Sequence, residues 1–424
     1  MLNRILTRLR AGALIKRLGP GLITGAADDD PGGIATHSQA GAQLGLNILW
    51  TIIFTYPLMT AIQMISARIG RVTGMGLGAN LARVFPRSIV TGLVILLFVA
   101  NTVNIGADLA AMGAAASLVV GFGQHTFTFL FAVLSLTLQV FVPYHRYVRY
   151  LKWLTLALLA YVGVIFTVHI NWSEVAIRTV FPKLAFDGAT MTVVMAIFGT
   201  TISPYLFFWQ ASEEVEDEEA DPDTGPLLQN VEQAPAQLRR IQWDTYIGMG
   251  VANVIAFFVI LTTAVTLHDA GITDIQTSSQ AAEALEPIAG HFAVLLFSLG
   301  IIGSGMLALP VLAGASAYAL CETRGWKVGL EKKPLEAIGF YAVIALGTLL
   351  GLAIDYSPLD PIKALFWSAV LNGVIAVPIM ATMMIVASRR SEMGDFVATL
   401  GQRIFGWTAT VVMAAASVTM FVLH

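Results

Sequence analysis

Residues 22–42 read LITGAADDDPGGIATHSQAGA and place three aspartates, a proline and two glycines inside an otherwise apolar segment. A carboxylate at the centre of a bilayer costs about 2.5–3.5 kcal/mol on insertion scales. Pro31 removes a backbone donor, and paired glycines loosen a helix. Unwound backbone at this depth is tolerated only where protein or a water-filled cavity surrounds it. The stretch therefore predicts a membrane helix that is broken around a buried polar site.

A milder interruption follows in residues 199–205, GTTISPY, where Pro204 comes after small polar residues. Two ordinary proline kinks would give a similar pair. The run of aspartates argues against that simpler interpretation, because carboxylates inside a membrane are costly and mark functional sites. Half-helix ends present carbonyls without partners, which can bind a cation, and Asp30 adds fixed negative charge. The pair of interruptions predicts a cation site between two broken helices.

The composition indicates a membrane protein throughout its length. Of the 424 residues, 56% are hydrophobic and 12% are charged, with a mean hydropathy of +0.75, whereas soluble domains carry about 25% charged residues. A bilayer needs about 20 apolar residues per helix, and this length predicts eleven transmembrane helices. Their centres lie near Ala26, Thr60, Asn101, Leu134, Leu159, Thr200, Asn253, Gly305, Ala345, Gly373 and Ala414.

The distribution of basic residues predicts the orientation. With the N-terminus in the cytoplasm, all but three of the 24 lysines and arginines fall in cytoplasmic segments, as the positive-inside rule requires. The three on the other side are Arg178, Lys183 and Lys363. The sequence thus predicts a cytoplasmic N-terminus and an external C-terminus in an integral membrane protein, with a prokaryotic plasma membrane favoured.

The spacing of the two breaks predicts an internal repeat within a single transporter domain spanning residues 1–424. The second break comes five spans after the first, and a repeat with an odd number of spans reverses the second copy in the membrane, which gives an inverted repeat of five plus five helices. The first repeat covers about residues 12–170 and the second about 187–388, followed by an extra helix at about 402–423. Within the second repeat, about residues 213–242 form an acidic cytoplasmic linker that begins with Glu213 and Glu214. This linker is either a solvated loop without a specific task or an acidic lure for cations at the cytoplasmic mouth.

At these residues the chain resembles the Nramp family of divalent metal transporters. The family's Gly-Pro-Gly entrance and Asp-Pro-Gly-Asn motif are matched by residues 19–21 and 30–33, and weaker similarity includes Asp108 and a glycine-rich eighth helix. The resemblance implies a LeuT-type all-α fold with metal bound between the first and sixth helices. It implies Asp30 as the main ligand, with backbone carbonyls near Ala27 and Thr200 and the Ser203 hydroxyl as lesser contributors.

The departures from the family pattern bear on the choice of metal. The usual sixth-helix sequence Met-Pro-His-Asn is replaced by Ser203, Pro204, Tyr205 and Leu206, and the first-helix asparagine is replaced by Gly33. Losing a soft thioether hardens the site, and the small side chains enlarge it, which favours an ion that keeps several waters. The pattern is similar to the Nramp-related magnesium transporter branch, so we expect Mg²⁺, Mn²⁺ or both as substrate.

Proton handling is expected to be weak or absent. Asp108 is retained, but the glutamate that the family tends to place one turn later is Ala111, and the histidine is Tyr205. The alternative is a proton-coupled Mn²⁺ or Fe²⁺ transporter of the usual Nramp kind. Other residues expected near the site or along the pathway are Asp28, Asp29, Asp108, Tyr205, Asn372, Glu213 and Glu214.

Other classes of function are disfavoured. The single cysteine, Cys321, excludes an internal disulfide framework and a cysteine-based metal cluster. The sequence has no His-Glu-x-x-His motif or similar constellation, so we expect no enzyme and no cofactor, only a divalent cation as transported substrate. A net charge of -3 suggests no nucleic-acid partner. A cation channel is less favoured because the two breaks are asymmetric. Besides the cation, the expected partner is the lipid bilayer, and a monomer is favoured.

Overall fold

The computed structural model describes residues 24, 25, 27–143, 146, 151, 154–356 and 360–423, and within these ranges it is all-helical with no strands. The α-helices in chain order are α1 (Pro31–Leu44), α2 (Trp50–Thr73), α3 (Leu77–Val84), α4 (Arg87–Val120), α5 (Gln124–Phe141), α6 (Leu159–Val164), α7 (Trp172–Val180), α8 (Gly188–Thr201), α9 (Pro204–Glu219), α10 (Ala234–Thr263), α11 (Ser278–Glu283), α12 (Glu286–Ala289), α13 (Ala293–Arg324), α14 (Ile338–Ile354), α15 (Pro361–Ser388), α16 (Arg390–Met393) and α17 (Leu400–Leu423). A π-helical turn, Ala264–His268, extends α10.

Eight helices in the described ranges are long and apolar enough to cross a membrane, with α8 and α9 taken together as one interrupted span. They coincide with eight of the eleven predicted spans. The predicted ninth span is the shorter apolar helix α14, of 17 residues. The centre of the predicted first span, Ala26, lies outside the described residues, and the predicted fifth span is described only in part, as a 3-10 helix at Leu154–Leu158 followed by α6. The count of eleven stays a prediction.

The interrupted span lies at the centre of the bundle. In its most apolar 18-residue window, 94% of the residues are buried, compared with 22% for α5 and 39% for α17. Peripheral helices expose one side to lipid, whereas a helix that is enclosed on all sides must contact protein everywhere. The span that contains Pro204 is therefore positioned to form an internal site rather than a lipid-facing surface.

Close backbone contacts fix α8 against α15. A Cβ atom built on Gly199 would lie 1.9 Å from the carbonyl oxygen of Ala369 and 2.5 Å from the amide nitrogen of Gly373. The absence of a side chain lets the two helices pack this tightly, as small residues do at helix interfaces in membranes. Gly25 meets Gly248 of α10 in the same way, with the corresponding distance to its carbonyl oxygen only 2.2 Å. Both contacts lie next to a break, so they hold the broken segments in place.

Aspartate side chains begin several of the helices. Asp187 accepts a hydrogen bond from the backbone N–H of Thr190 at 2.8 Å, and Asp360 accepts one from Ile362 at 2.9 Å. An N-cap of this kind satisfies amide groups that have no partner within the helix. The bond from Thr190 lowers the pKa of the exposed Asp187 carboxyl below its usual value. Asp30 caps α1 in the same manner, although it is buried inside the bundle.

Candidate functional site

The two breaks share one backbone feature. Helical backbone at residues 27–28 stops at Asp29 and resumes at Pro31, and α8 ends at Thr201 before α9 begins at Pro204. In an uninterrupted helix the carbonyl of Ala27 would accept from residue 31 and that of Thr200 from residue 204, but proline has no N–H to donate. Each break therefore leaves one carbonyl oxygen that needs another partner. These are the two carbonyls expected from the sequence to contribute to the site.

Asp30 is 3% exposed and has donors on both carboxylate oxygens. The backbone N–H of Gly33 donates to Oδ1 at 2.6 Å, as the N-cap bond of α1. Oδ2 accepts from the amide of Asn104 at 3.3 Å and from the hydroxyl of Tyr205 at 3.2 Å. A buried carboxylate needs such donors, since an unpaired buried charge is strongly unfavourable. Asp30 is thus held by three elements, α1, α4 and α9.

Tyr205 and Ser203 supply the hydroxyls that satisfy the two orphaned carbonyls. The Tyr205 hydroxyl lies 3.4 Å from the carbonyl oxygen of Ala27 as well as 3.2 Å from Asp30. The Ser203 hydroxyl lies 2.8 Å from the carbonyl oxygens of both Gly199 and Thr200. Each hydroxyl has one proton, so these are alternative or shared bonds. The hydroxyls of Tyr205 and Ser203 therefore bond to oxygen atoms that a cation bound at the breaks would also use.

Gly33 keeps the space between the broken segments narrow but open. A Cβ at this position would lie 3.0 Å from the carbonyl oxygen of Asp28 and 3.4 Å from both Asp30 Oδ1 and Thr200 Oγ1. Gly33 therefore faces oxygen atoms from both broken helices. A side chain here would have to displace the Asp28 carbonyl slightly, and it would point into the region between Asp30 and Thr200.

The other aspartates of the motif, Asp28 and Asp29, do not join Asp30 in a group that could hold a metal ion by carboxylates alone. Asp28 and Asp29 are each 8% exposed, and Oδ1 of Asp28 is buried without a hydrogen-bond partner. Within the described ranges, no three His, Cys, Asp or Glu side chains come together in a group that could hold a metal ion. A cation at the breaks would therefore have to combine Asp30 with backbone carbonyls, hydroxyls and its own waters.

Asp108 lies on α4 and is fully buried. The backbone N–H of Gly32 interacts with it, yet neither carboxylate oxygen has a partner at ordinary hydrogen-bond geometry. The structure brings Asp108 to the start of α1, beside the motif, as expected for a residue near the site. Its carboxylate is a costly group to bury and is therefore a candidate for function.

The contacts of Asn104 with Asp30 and of Ser368 with Asn104 were not predicted from the sequence. Asn104 precedes Asp108 by one helical turn on α4, so the two side chains project from the same face. Its amide donates to Asp30, and its carbonyl oxygen accepts from the Ser368 hydroxyl of α15 at 2.7 Å. Because both the nitrogen and the oxygen of the Asn104 amide have partners, the bond from Ser368 fixes the orientation of the amide. The signal in the sequence was a polar residue four positions before Asp108 in an apolar helix.

Asn372, expected as a gate residue, lies on α15 with 2% exposure, and its Oδ1 atom has no hydrogen-bond partner. It precedes Gly373, which packs against Gly199 next to the break in the sixth predicted span. Asn372 is therefore placed on the helix that borders the site, one turn beyond Ser368, without a bond to the motif residues in this conformation.

Glu213 and Glu214 lie elsewhere, toward the end of α9. They are buried rather than solvated, with 3% and 0% exposure, and Glu214 forms an ion pair with Arg240 of α10. The structure describes the first part of the 213–242 stretch as the end of α9 and the last part as the beginning of α10. Both ends of the 213–242 stretch are therefore parts of helices of the bundle.

The fold and the site define a class of protein. A helical bundle with two helical segments interrupted before prolines around a buried carboxylate is typical of the LeuT-type fold. In agreement, Mhp1, a nucleobase-cation-symport-1 family transporter, superposes with a TM-score of 0.54 at 14% identity, covering 95% of this chain and 92% of its own. A crystal structure of the Eremococcus coleocola manganese transporter, mutant H236A, superposes with a TM-score of 0.75 at 16% identity, covering 94% and 84%.

Sequence comparison identifies the family. The family model described as "Natural resistance-associated macrophage protein-like" (Nramp) matches residues 21–423, so the chain belongs to the Nramp family. The divalent metal cation transporter MntH of Klebsiella pneumoniae (strain 342) is 25% identical over 409 residues, which cover 94% of this chain and 92% of that protein. The resemblance inferred from the first-helix motif is confirmed at the level of the family.

Proposed function

We propose that this protein is a secondary transporter that imports divalent metal cations through the site at the two helix breaks. The observation that carries the proposal is that the Tyr205 hydroxyl lies against both Asp30 and the Ala27 carbonyl, which Pro31 leaves without a helical donor, while Gly33 faces both Asp30 and the Thr200 side chain of the second break. A carboxylate at membrane depth costs free energy unless it has a function, and together with carbonyls that lack helical donors it can bind a cation. The relatives' names support the same class of substrate, since they include a divalent metal cation transporter and a manganese transporter.

The proposed ligands are Asp30 and the carbonyls of Ala27 and Thr200, with the Ser203 hydroxyl as a lesser contributor. Gly33 belongs to the proposed metal site because it leaves space next to the ion. Asp28, Asp29, Asp108, Tyr205 and Asn372 act beyond the direct ligands or along the pathway. We add Asn104, because its amide contacts Asp30 directly. Glu213 and Glu214 belong to the cytoplasmic end of the pathway.

Mg²⁺ is the proposed preferred ion, with Mn²⁺ as a second substrate. The proposed ligands at the breaks, Asp30 and the carbonyls of Ala27 and Thr200, are oxygens, and Ser203 stands where the family pattern has a methionine. Oxygen-only sites suit hard cations, while Mn²⁺ and its softer neighbours gain from sulfur. Because hydroxyls already occupy the carbonyls, an ion that retains part of its water shell fits this site better than one that needs every ligand at once.

Weak or absent proton coupling follows from the groups next to Asp30. The residue that hydrogen-bonds it from α9 is a tyrosine rather than a histidine, and Ala111 follows Asp108 by one turn. Neither tyrosine nor alanine titrates near neutral pH. The rival is a proton-coupled Mn²⁺ or Fe²⁺ transporter, favoured by the named manganese-transporting relative and by the buried Asp108. A divalent cation channel is a more distant alternative.

The proposed architecture is eleven transmembrane helices in one domain. It has inverted repeats at about residues 12–170 and 187–388, the acidic linker at about 213–242, and an extra helix at about 402–423. The proposed N-terminus is cytoplasmic, the C-terminus external, the membrane a prokaryotic plasma membrane and the protein a monomer. A cysteine placed after Arg389 should react with a membrane-impermeant reagent only from the cytoplasmic side. Labelling from outside would overturn this topology.

Uptake into proteoliposomes tests substrate and coupling together. The purified protein is reconstituted, and influx of Mg²⁺, Mn²⁺ and Ca²⁺ is followed with indicators while a second probe reports internal pH. We expect saturable Mg²⁺ and Mn²⁺ influx with little or no acidification beyond protein-free liposomes. A proton signal that rises in step with metal concentration would favour the proton-coupled rival. Flux that does not saturate would favour the channel.

A further inference from the structure

A cavity among the described residues lies apart from the helix breaks. It has a volume of about 690 Å³ and is enclosed by α2, the first turns of α10 and the beginning of α17. The positive-inside rule assigns these helix ends to the cytoplasmic side. None of the residues of the proposed cation site lines this cavity.

The charge in this cavity has one sign. Its charged lining residues, among those described, are Arg68 of α2 and Arg239 of α10, and no carboxylate accompanies them. Arg68 donates to the carbonyls of Phe396 and Val397 at 3.3 and 3.4 Å, but its Nε is buried without a partner. Glu214 does not neutralise the pair, since it bonds the neighbouring Arg240 instead. Two arginines sharing a cavity without a carboxylate fit an anion.

The beginning of α17 adds to this positive character. Gly401 and Gln402 lie in its first turn and line the cavity, where the helix dipole favours negative charge. A Cβ atom at Gly401 would meet nothing within 4 Å, so the space beside this helix end is open. The anion-favouring groups thus come from three different helices.

The remaining wall is apolar and decides which anion fits. Met64 of α2, Ile241 of α10 and Phe405 of α17 line the same cavity. A free phosphate ion has no apolar surface to bury against these side chains, whereas a phospholipid presents a charged head group and a hydrocarbon chain together. The basic N-terminal segment, with Arg4, Arg8, Arg10, Lys16 and Arg17, has the wrong charge to complement two arginines. Basic pockets between helices on the cytoplasmic side are suited to anionic lipid head groups.

We propose that this cavity binds an anionic phospholipid of the cytoplasmic leaflet, with the phosphate between Arg68 and Arg239 and an acyl chain along Met64 and Phe405. A lipid held here contacts α2, α10 and α17 at once. The inference is independent of the metal site, because it uses a different set of residues.

Native mass spectrometry of the full-length protein in detergent tests the site. The protein is incubated with equimolar phosphatidylglycerol and phosphatidylcholine, with and without excess inorganic phosphate. We expect retained phosphatidylglycerol, little phosphatidylcholine and little competition from phosphate. Removing charge in Arg68→Gln and Arg239→Gln should each weaken lipid binding about fivefold, from about 1 kcal/mol per basic residue. Arg403→Gln, an exposed arginine near the start of α17 that does not line the cavity, is the control and should bind normally.

Gly401→Trp provides a second test if loss of the Arg68 bonds impairs folding. The indole fills open space at the cavity, so it should displace the lipid while leaving both arginines in place. Unchanged phosphatidylglycerol retention in Gly401→Trp and in Arg239→Gln would overturn the proposal. Equal retention of phosphatidylcholine, or full displacement by phosphate alone, would overturn it as well.

Discussion

Removing the hydroxyl of Tyr205 should tighten metal binding. This hydroxyl lies 3.2 Å from Asp30 Oδ2 and 3.4 Å from the Ala27 carbonyl, both of which we propose as ligands. A cation that takes these oxygens must displace it. A hydrogen bond to a charged group contributes about 1.5–3 kcal/mol, and because both contacts are long we use the lower end. Tyr205→Phe should therefore lower the Kd for Mg²⁺ and Mn²⁺ about tenfold.

Isothermal titration calorimetry on the purified variant measures this change. Tyr318→Phe is the matched control, since that buried tyrosine donates to Glu216 rather than to the breaks, and its metal affinity should stay unchanged. We also expect slower uptake at saturating metal in Tyr205→Phe, because release from the tightened site is slower. A Kd that rises in Tyr205→Phe would mean that the hydroxyl helps to hold the bound ion. An unchanged Kd would equally refute the competition between tyrosine and metal.

Three further predictions concern neighbouring groups. Ser203→Met removes the hydroxyl from the Thr200 carbonyl and adds a thioether, so Cd²⁺ and Mn²⁺ should gain affinity relative to Mg²⁺ in competitive uptake. The control Ser203→Ala frees the carbonyl without adding sulfur and should not show this gain. Equal behaviour of the two variants would contradict a role for sulfur. Gly199→Ala brings a Cβ to 1.9 Å from a backbone oxygen and should cost about 1–3 kcal/mol or more by overpacking, seen as a lower melting temperature. Gly401→Ala, which meets nothing within 4 Å, is its control, and equal melting of the two would refute the tight contact. Asp108→Asn removes a buried carboxylate without good partners and should raise the melting temperature, with a lowered value indicating that the carboxylate is well satisfied.

The breaks and their residues could be predicted because their cost is visible in the sequence. Three aspartates and a proline at membrane depth are unfavourable unless the helix is interrupted, and the structure has the interruption at Asp30 and again before Pro204. The carbonyls at Ala27 and Thr200, which the family resemblance implied, agree with the same rule, since proline removes the donor four residues later. Local backbone chemistry thus determined this part of the site.

The hydrogen bonds across the site could not be predicted from local chemistry. Asn104 contacts Asp30, and Ser368 contacts Asn104, only because α4 and α15 pack beside the break, and the separation of these residues in sequence gives no sign of it. The hydroxyl of Tyr205 was expected only as a replacement for a histidine, whereas its bonds to Asp30 and Ala27 depend on how α9 is placed. The charge of the acidic 213–242 stretch also did not predict its environment, because Glu214 is buried against Arg240 rather than solvated.

Metal uptake by Asp30→Asn tests whether the charge of Asp30 holds the transported cation. Asparagine retains the size of the side chain and an oxygen that can accept from the Gly33 N–H, but it lacks the charge that would hold the cation. The variant and the original protein are reconstituted at equal density, with melting curves to verify folding, and initial Mg²⁺ and Mn²⁺ influx is measured. We expect folded protein with influx reduced to the level of empty liposomes. Saturable influx at the original rate in folded Asp30→Asn would contradict it and place the transport site elsewhere.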